Sequence, residues 1–277
     1  MFRVIQIAFC LVVMLTTTSS YAQSLKVMTY NIRYDTPADS VNQWGKRTPK
    51  VYALIKKYNP DILGVQEALH NQITDLVTNL NEYAYVGVGR DDGKTKGEYS
   101  AILYKKDKFT ITKEGTFWLS PTPAVAGSKG WDAAITRVAT WAIMKDKKSG
   151  ASFFMLNTHF DHMGKEARRE SALIIKRRGA ELAGKLPVVV TGDFNCMREE
   201  PPYAAIMSNE GLKLIDPAPS PAPGTFCSFK VNTIECRPID YVFHTSEWKA
   251  SGYQAITDND GKYYPSDHLP VIVQLAR

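Results

Sequence analysis

The chain has 277 residues, of which 44% are hydrophobic, and a formal net charge of +6. This length suits one large α/β or two-sheet domain. A charge this small, without a long lysine or arginine block, excludes a protein that coats nucleic acid, although a modest positive excess suits an anionic substrate.

Residues 1–22 have the pattern of a secretory signal peptide. Arg3 supplies a positive start, Val4–Leu15 is an apolar stretch, and Ser20-Tyr21-Ala22 matches a small-x-small cleavage site. The apolar stretch is too short for a permanent membrane span, and we expect no transmembrane segment elsewhere. We therefore expect a secreted or periplasmic protein, monomeric, with a single domain over residues 23–277.

Regular elements follow one another along the rest of the chain. Apolar or alternating runs predict strands, in chain order, over Leu25–Tyr30, Asp61–Gln66, Tyr83–Val88, Ser100–Tyr104, Arg137–Met144, Ser152–Thr158, Pro187–Thr191, Ile239–His244 and Pro270–Leu275. Amphipathic spacing predicts helices over Lys46–Tyr58, Leu69–Leu80 and Lys165–Ala183. Strands alternate with helices at both ends and follow one another in the middle, which indicates an α/β fold with mixed sheets covered by helices.

Three cysteines lie beyond the apolar N-terminal stretch. No C-x-x-C pair exists, so a structural metal site is poorly supported. In an oxidising compartment Cys227 and Cys236 are close enough in sequence to close a short loop, and we predict that disulfide. Cys196 is then a free thiol, and the role of a small buried hydrophobe suits it best.

Polar side chains recur where the predicted strands end or begin. Asn31, Glu67 and His159 each follow a strand directly, and Asp193 and Asn195 follow the apolar run Val188–Val190. Asp240 begins a later strand, and Asp267 with His268 precedes the last one. Each has an ordinary alternative as a turn residue, a helix cap or a buried hydrogen-bonded histidine. Open α/β folds usually place their ligands at strand ends, so the set as a whole favours an active site.

The chemistry that this set favours is metal-assisted cleavage of a phosphoester. A hard cation such as Mg²⁺ needs carboxylate oxygen, which Glu67 supplies. Asp193 can orient and deprotonate a water molecule, and a histidinium at His268 needs a carboxylate behind it, for which Asp240 is the candidate. Hydrogen-bond donors to the phosphate are available from Asn31, Asn195, His159 and His268.

The segments TYNIR at 29–33, VQE at 65–67, NTH at 157–159, TGDFN at 191–195, IDYVF at 239–243 and SDH at 266–268 resemble, in this order, the endonuclease/exonuclease/phosphatase superfamily. The resemblance implies a four-layered α/β sandwich in which two packed mixed β-sheets are flanked by helices. It implies that Glu67 holds the metal ion and that Asp267 lies in the network of metal and water. It also implies that Asn31 and Asn195 bind phosphate or the catalytic water.

One position departs from the family pattern. Some nucleases of the family have an acid two residues after the first asparagine, whereas this chain has Arg33. Asp35 is a partial substitute at most. We therefore expect one dominant Mg²⁺ or Mn²⁺ site rather than two.

Two further segments resemble a group of secreted bacterial members, residues 130–141 and 159–169. We predict substrate binding by Arg137 and Arg168, with a structural ion pair or a capping role as the alternative. Neighbouring candidates for the rim or walls of a pocket are Asp161, His162, Trp118 and Trp131.

The leading interpretation is a secreted, Mg²⁺-dependent phosphoesterase that hydrolyses a phosphomonoester or phosphodiester by in-line attack of water. An alternative is a secreted nuclease, for which the basic segment Lys165–Ala183 is the best support. A second alternative is a binding module without catalytic activity on the same fold.

Overall fold

The computed structural model describes residues 23–277, so the predicted signal peptide at 1–22 lies outside the described residues. The strands are β1 (Ser24–Asn31), β2 (Ile62–Ala68), β3 (Tyr83–Val86), β4 (Tyr99–Lys105), β5 (Phe109–Trp118), β6 (Val138–Asp146), β7 (Ser152–His159), β8 (Val188–Asp193), β9 (Asp240–His244), β10 (Lys249–Ala255) and β11 (Val271–Ala276). The helices are α1 (Trp44–Tyr58), α2 (His70–Asn79), α3 (Lys165–Ala183) and α4 (Pro201–Ile206), with a 3₁₀ helix over Pro37–Asn42.

The strands form two mixed sheets. One has six strands in the order β10-β11-β1-β2-β4-β3, and the other has five in the order β5-β6-β7-β8-β9. Within each sheet one neighbouring pair is parallel, β1 with β2 and β7 with β8, and the other pairs are antiparallel.

Three apolar layers hold the molecule together, and β1 shows how its residues are divided between them. Leu25 and Val27 pack between the two sheets, whereas Met28 and Tyr30 pack against α1 and α2. This is the two-residue period of a strand buried on both faces. On the other side, α3 and α4 cover the five-stranded sheet. The result is the predicted four-layered α/β sandwich, and that prediction is confirmed.

The topology brings the candidate residues to one edge. Asn31, His159 and Asp193 are the last residues of β1, β7 and β8, and Glu67 is the last residue but one of β2. Strands antiparallel to these begin at the same edge, so Asp240 at the start of β9 lies opposite Asp193, and His268 precedes β11. Both sheets therefore contribute side chains to a single site.

Among residues 23–277, two strands, the helix α4 and the 3₁₀ helix were not predicted. β5 and β10 lie at sheet edges, and α4 has only six residues. An edge strand with polar residues on its exposed positions carries little apolar periodicity, because only part of one face is buried. Among the described residues no helix is long and apolar enough to cross a membrane.

A buried polar cluster joins the sheets near the site. The Asn157 Oδ1 accepts hydrogen bonds from Gln66 Nε2 at 2.7 Å and Thr191 Oγ1 at 2.9 Å. The Asn157 Nδ2 donates to the carbonyls of Val65 and Ala101, both at 2.9 Å. Every hydrogen-bonding group of this amide is therefore satisfied, which a buried amide requires.

Candidate active site

Three residues that line the site, Arg33, Glu67 and Asn195, have left-handed backbone conformations. Glu67 has a φ of 62° and Asn195 a φ of 47°. The pairing of β2 with β4 shifts register between Val65 and Ala68, so Glu67 lies on an irregular part of the strand. Such irregularities re-aim a side chain, and strained backbone concentrates at functional sites. All three side chains line one cavity.

The Asp193 carboxylate lies at the centre of the site. Its Oδ1 accepts a hydrogen bond of 2.9 Å from the backbone N–H of Asn195, and its Oδ2 accepts one of 3.0 Å from the side-chain amide of Asn31. The Asn31 amide also donates to Glu67 Oε1 at 3.0 Å. A single asparagine thus links the carboxylates that the two sheets provide.

His268 lies between two carboxylates. Its Nδ1 is 2.9 Å from Asp240 Oδ2, and its Nε2 is 3.7 Å from Asp193 Oδ2. Burial lowers the pKa of His268, but the charges of Asp240 and Asp193 outweigh burial and raise the pKa to about 10. His268 is therefore an imidazolium at neutral pH, with Asp240 behind it.

His159 has the opposite charge state. Burial lowers its pKa well below the usual value, and the guanidinium of Arg137 lowers it further. Its Nε2 lies 3.0 Å from the side-chain nitrogen of Asn195, which also donates to the carbonyl of Phe160. An amide nitrogen only donates, so Nε2 of His159 accepts. The predicted role of His159 as a donor to phosphate stays a prediction; in this arrangement its Nε2 accepts from Asn195, and His268 is the charged histidine.

Three carboxyl groups of the site have raised pKa values. Burial, with the charge of Asp240 second, raises the pKa of Asp193 to about 7. Burial also raises the pKa values of Asp267 and Glu98, and the charge of Glu67 adds to both shifts. Carboxylates that are buried and repel one another are stabilised by a bound cation.

The donor atoms fit a hard divalent cation. Glu67, Asp193 and His268 each offer one ligand atom, and these atoms lie within 4.8 Å of one another. His268 is protonated and bonded to Asp240, so the oxygens of Glu67 and Asp193 are the better ligands. Asp267, the other predicted ligand, lines the same cavity but does not belong to this group.

An arginine rather than a second acidic residue flanks Glu67. Arg33 Nη1 lies 3.8 Å from Glu67 Oε2, and the same guanidinium makes two bonds of 3.0 Å to Asp39. The carboxylate of Asp35 accepts a bond from Asn71 at the surface and does not line the cavity. This arrangement favours one metal ion over two.

The site opens into a cavity of about 530 Å³. The charged side chains that line it include three arginines as well as the acids, and the apolar ones are Tyr34, Ile135, Phe226 and Ile239. The Phe226 ring lies with its centroid 5.0 Å from that of His268. The volume, the three arginines and the imidazolium of His268 suit a small anionic molecule. Of the two predicted substrate-binding residues, Arg137 lines the cavity.

Arg168 does not line the cavity, in contrast to its predicted role in substrate binding. It is buried on α3, and its Nη1 donates to the carbonyl of Asp161 at 3.0 Å. The Asp161 carboxylate in turn accepts bonds from the backbone N–H groups of Met163 and Gly164. The guanidinium therefore supports the loop after β7 from inside the fold.

The predicted tryptophan walls are also absent from the cavity lining. Trp118 is buried and donates to the carbonyl of Arg90 at 2.6 Å, and Trp131 lies at the surface. Conversely, sequence reasoning missed Glu98 and Arg237, which do line the cavity. The only signal for them is a charged residue shortly before a predicted strand.

The predicted disulfide is present between Cys227 and Cys236. Cys196 is free and buried, as its predicted role requires. Phe226, next to Cys227, lines the cavity, so the disulfide closes a loop at the wall of the site.

Comparison with known proteins agrees with this geometry. A solved structure of an endonuclease/exonuclease/phosphatase from Bacteroides vulgatus is 42% identical, with a TM-score of 0.85 and coverage of 91% of this chain and 98% of that one. A mannosyl-6-phosphatase from Bacteroides thetaiotaomicron is 40% identical, with a TM-score of 0.84 and coverage of 91% and 99%.

More distant relatives share the same domain. Nocturnin from Drosophila melanogaster is 24% identical over 83% of this chain but only 41% of its own length, so the chain spans less than half of that relative. The model of the Endonuclease/Exonuclease/phosphatase family matches residues 28–268, from β1 to the histidine before β11. The chain therefore belongs to the Endonuclease/Exonuclease/phosphatase family.

Proposed function

We propose that the protein is a Mg²⁺- or Mn²⁺-dependent phosphoesterase that hydrolyses a small phosphomonoester by in-line attack of water. The observation that carries this proposal is the assembly of Glu67, Asp193 and imidazolium His268 around one cavity. Members of the family hydrolyse phosphoester bonds. Cleavage of phosphodiesters uses the same groups and is tested alongside.

Each residue has a role that follows from its contacts. Asp193 is the base that orients and deprotonates the attacking water. His268 donates from Nε2 to a non-bridging phosphate oxygen and stabilises the charge that develops there, while Asp240 keeps it protonated. Asn31 and Asn195 hold the Asp193 carboxylate in place.

The cation would bind at Glu67 and Asp193. When bound, a divalent cation neutralises phosphate charge and lowers the pKa of a coordinated water molecule. His268 would then hold a phosphate oxygen, so that the phosphorus faces the water molecule oriented by Asp193. Arg33, beside Glu67, adds positive charge at the cavity wall.

A sugar phosphate is the substrate class that we favour. The cavity of about 530 Å³ accommodates a monosaccharide phosphate. The relative that is 40% identical over 91% of this chain is a mannosyl-6-phosphatase. Both observations support a compact monoester more than a polymer.

The test is phosphate release by residues 23–277 from sugar phosphates, nucleotides, inositol phosphates and phosphodiesters, with Mg²⁺, Mn²⁺ or EDTA. We expect EDTA to abolish turnover, and Asp193→Asn or His268→Ala to lower kcat by about 10²–10⁴-fold, because each removes a proton-transfer or charged group. Asp258→Asn, a surface substitution of the same type, is the control. Full activity in EDTA or in Asp193→Asn would overturn the proposal.

The nuclease alternative has less support from the site. On α3, Lys176 is buried and its Nζ donates to the carbonyl of Ile206 at 3.0 Å, while Arg169 and Arg178 pair with glutamates of the same helix. The basic residues of this helix do not line the cavity. Cleavage of plasmid or RNA in preference to small phosphoesters would favour the nuclease, and failure to bind Mn²⁺ in calorimetry would favour the binding module.

We also propose that the protein is exported. The N-terminal pattern of residues 1–22 supports this, as does the Cys227–Cys236 disulfide, since disulfides persist in oxidising compartments. Cell fractionation with N-terminal sequencing tests it. We expect a mature chain that begins at Gln23 outside the cytoplasm, and a cytoplasmic chain that retains Met1 contradicts the proposal.

A further inference from the structure

One wall of the cavity has two polar groups to which the proposed hydrolysis gives no role. Glu98, just before β4, and His162, in the loop after β7, both line the cavity. Each is bonded to an arginine. Arg90 holds Glu98, and Arg137 holds His162.

The Arg137 contact fixes which nitrogen of His162 carries the proton. Arg137 Nη2 lies 3.0 Å from His162 Nδ1. A guanidinium has no acceptor atom, so Nδ1 must accept and the ring proton must lie on Nε2. The Arg137 side chain is only 4% exposed, and its Nε is 3.6 Å from Asp161 Oδ2. A buried cation therefore holds His162 as a hydrogen-bond donor through Nε2.

The Arg90 contact leaves Glu98 as an acceptor. Arg90 Nη1 donates to Glu98 Oε2 at 2.6 Å, with side chains that are 12% and 15% exposed. Among residues 23–277 none donates to the other carboxylate oxygen, Oε1. Trp118 anchors the same loop by its bond to the Arg90 carbonyl. The wall thus offers one fixed acceptor and one fixed donor.

We propose that Glu98 and His162 bind hydroxyl groups of the sugar from which phosphate is removed, Glu98 as acceptor and His162 as donor, with Arg137 as a positioning residue. The inference rests on the proposed phosphoesterase function and adds the residues that select the leaving group. A carboxylate repels phosphate but accepts from a hydroxyl, so this wall suits the uncharged, hydroxyl-rich part of a substrate. Sites that bind a hydroxyl reject analogues without it.

The experiment compares kcat/KM for a hexose 6-phosphate, its single-deoxy analogues and phenyl phosphate. It uses the wild type, Glu98→Gln, His162→Phe and His162→Gln. In the wild type we expect the substrate that lacks the bound hydroxyl to have a kcat/KM about tenfold lower. In His162→Phe the same deoxygenation should cost little, and His162→Gln, which restores an amide donor, should recover part of the discrimination. Met163→Ala, an exposed neighbour, is the matched control.

A second readout does not require turnover. Calorimetry measures the binding of the same sugar phosphates to Asp193→Asn, alone and combined with His162→Phe or His162→Gln. Loss of the bound hydroxyl should weaken binding with the same dependence on His162. In addition, ¹⁵N NMR of the wild type should show the His162 proton on Nε2. Arg137→Met should shift this tautomer toward the mixture found in free histidine. Equal costs of deoxygenation in the wild type and in His162→Phe would overturn the inference. If no phosphoester is hydrolysed by the wild type, the proposed function fails, and the binding comparison still decides the inference.

Discussion

Neighbours, rather than residue type, set the charges of the two site histidines. Both are buried and lie close to Asp193, His159 at 3.3 Å and His268 at 3.7 Å. His268 has Asp240 behind it and is protonated, whereas His159 has Arg137 nearby and is neutral. A charged donor and a neutral acceptor therefore flank the same carboxylate, and exchanging their roles would require different neighbours.

The pH dependence of stability tests the His268–Asp240 pair in metal-free protein. A histidine whose pKa is raised from about 6.5 to about 10 stabilises the fold fully below pH 6.5, and this contribution is lost as the pH rises through 10. The free energy of unfolding of the wild type minus that of Asp240→Asn should therefore fall between pH 7 and 10, by at most about 1.4 kcal/mol per pH unit. Urea unfolding in EDTA measures it.

Asp258→Asn is the control for that measurement. Asp258 bonds to Lys57 and Tyr58 at the surface. Burial raises the pKa of Asp258, but the bonds to Lys57 and Tyr58 outweigh burial and lower the pKa. The contribution of Asp258 should change little between pH 7 and 9, because its partners Lys57 and Tyr58 begin to titrate only above that range. A difference for Asp240→Asn that does not change with pH contradicts the assigned charge of His268.

At the scale of elements, a disulfide-closed loop forms part of the active-site wall. The N–H of Cys227 donates to the carbonyl of Asp267 at 3.0 Å, and the N–H of Leu269 donates to the carbonyl of Thr225 at 2.6 Å. These bonds pair the loop with the segment that carries His268. The loop thereby places Phe226 against the imidazolium.

Removing the disulfide should weaken both the fold and the site. For a loop with a sequence separation of 9, the loss of the cross-link in Cys227→Ser/Cys236→Ser should lower the free energy of unfolding by about 2–3 kcal/mol. It should also raise KM, because Phe226 is less firmly held. Urea titration and steady-state kinetics measure the two effects, with Cys196→Ala as the thiol control. An unchanged KM contradicts the structural role given to the loop.

At the scale of the whole molecule, the site is shared between two sheets that must dock in register. Asn31 and Glu67 come from the six-stranded sheet, and His159 and Asp193 come from the five-stranded sheet. The amide of Asn157 spans the gap between the sheets. Close approach is essential there, since a Cβ on Gly64 would lie 2.6 Å from Asn157 Oδ1.

Asn157→Leu should destabilise the sandwich strongly. It removes four buried hydrogen bonds, each worth about 0.5–1.5 kcal/mol, although Gln66 and Thr191 keep other partners. We expect a loss of at least about 3 kcal/mol in the free energy of unfolding, measured by urea titration. Asn71→Leu on the exposed face of α2 should change it by less than about 0.5 kcal/mol. Comparable losses in the two variants would contradict a bridging role for Asn157.

Much of the site could be predicted because strand ends are readable in sequence. The apolar run of β8 indicates a buried strand, and the acid and the amide after it must emerge at a sheet edge. The same reasoning applies to Asn31 and Glu67. The family resemblance then gave the fold, which periodicity alone did not specify.

The rest depends on contacts between distant segments. Glu98 and Arg237 belong to loops whose paths are set by tertiary bonds, such as that from Trp118 to the Arg90 carbonyl. Arg168 has the charge and the position of a rim residue, but its guanidinium is turned inward by a backbone carbonyl. Nothing in the local sequence distinguishes these outcomes.

The pairing of β1 with β11 has a consequence for when activity first appears. The first strand supplies Asn31, and the last follows directly after the segment that carries His268, yet the two lie side by side in one sheet. An incomplete chain on the ribosome therefore has no neighbour for β1 on that side and no imidazolium beside Asp193. The proposed hydrolysis should therefore begin only after β11 has been synthesised and has paired with β1.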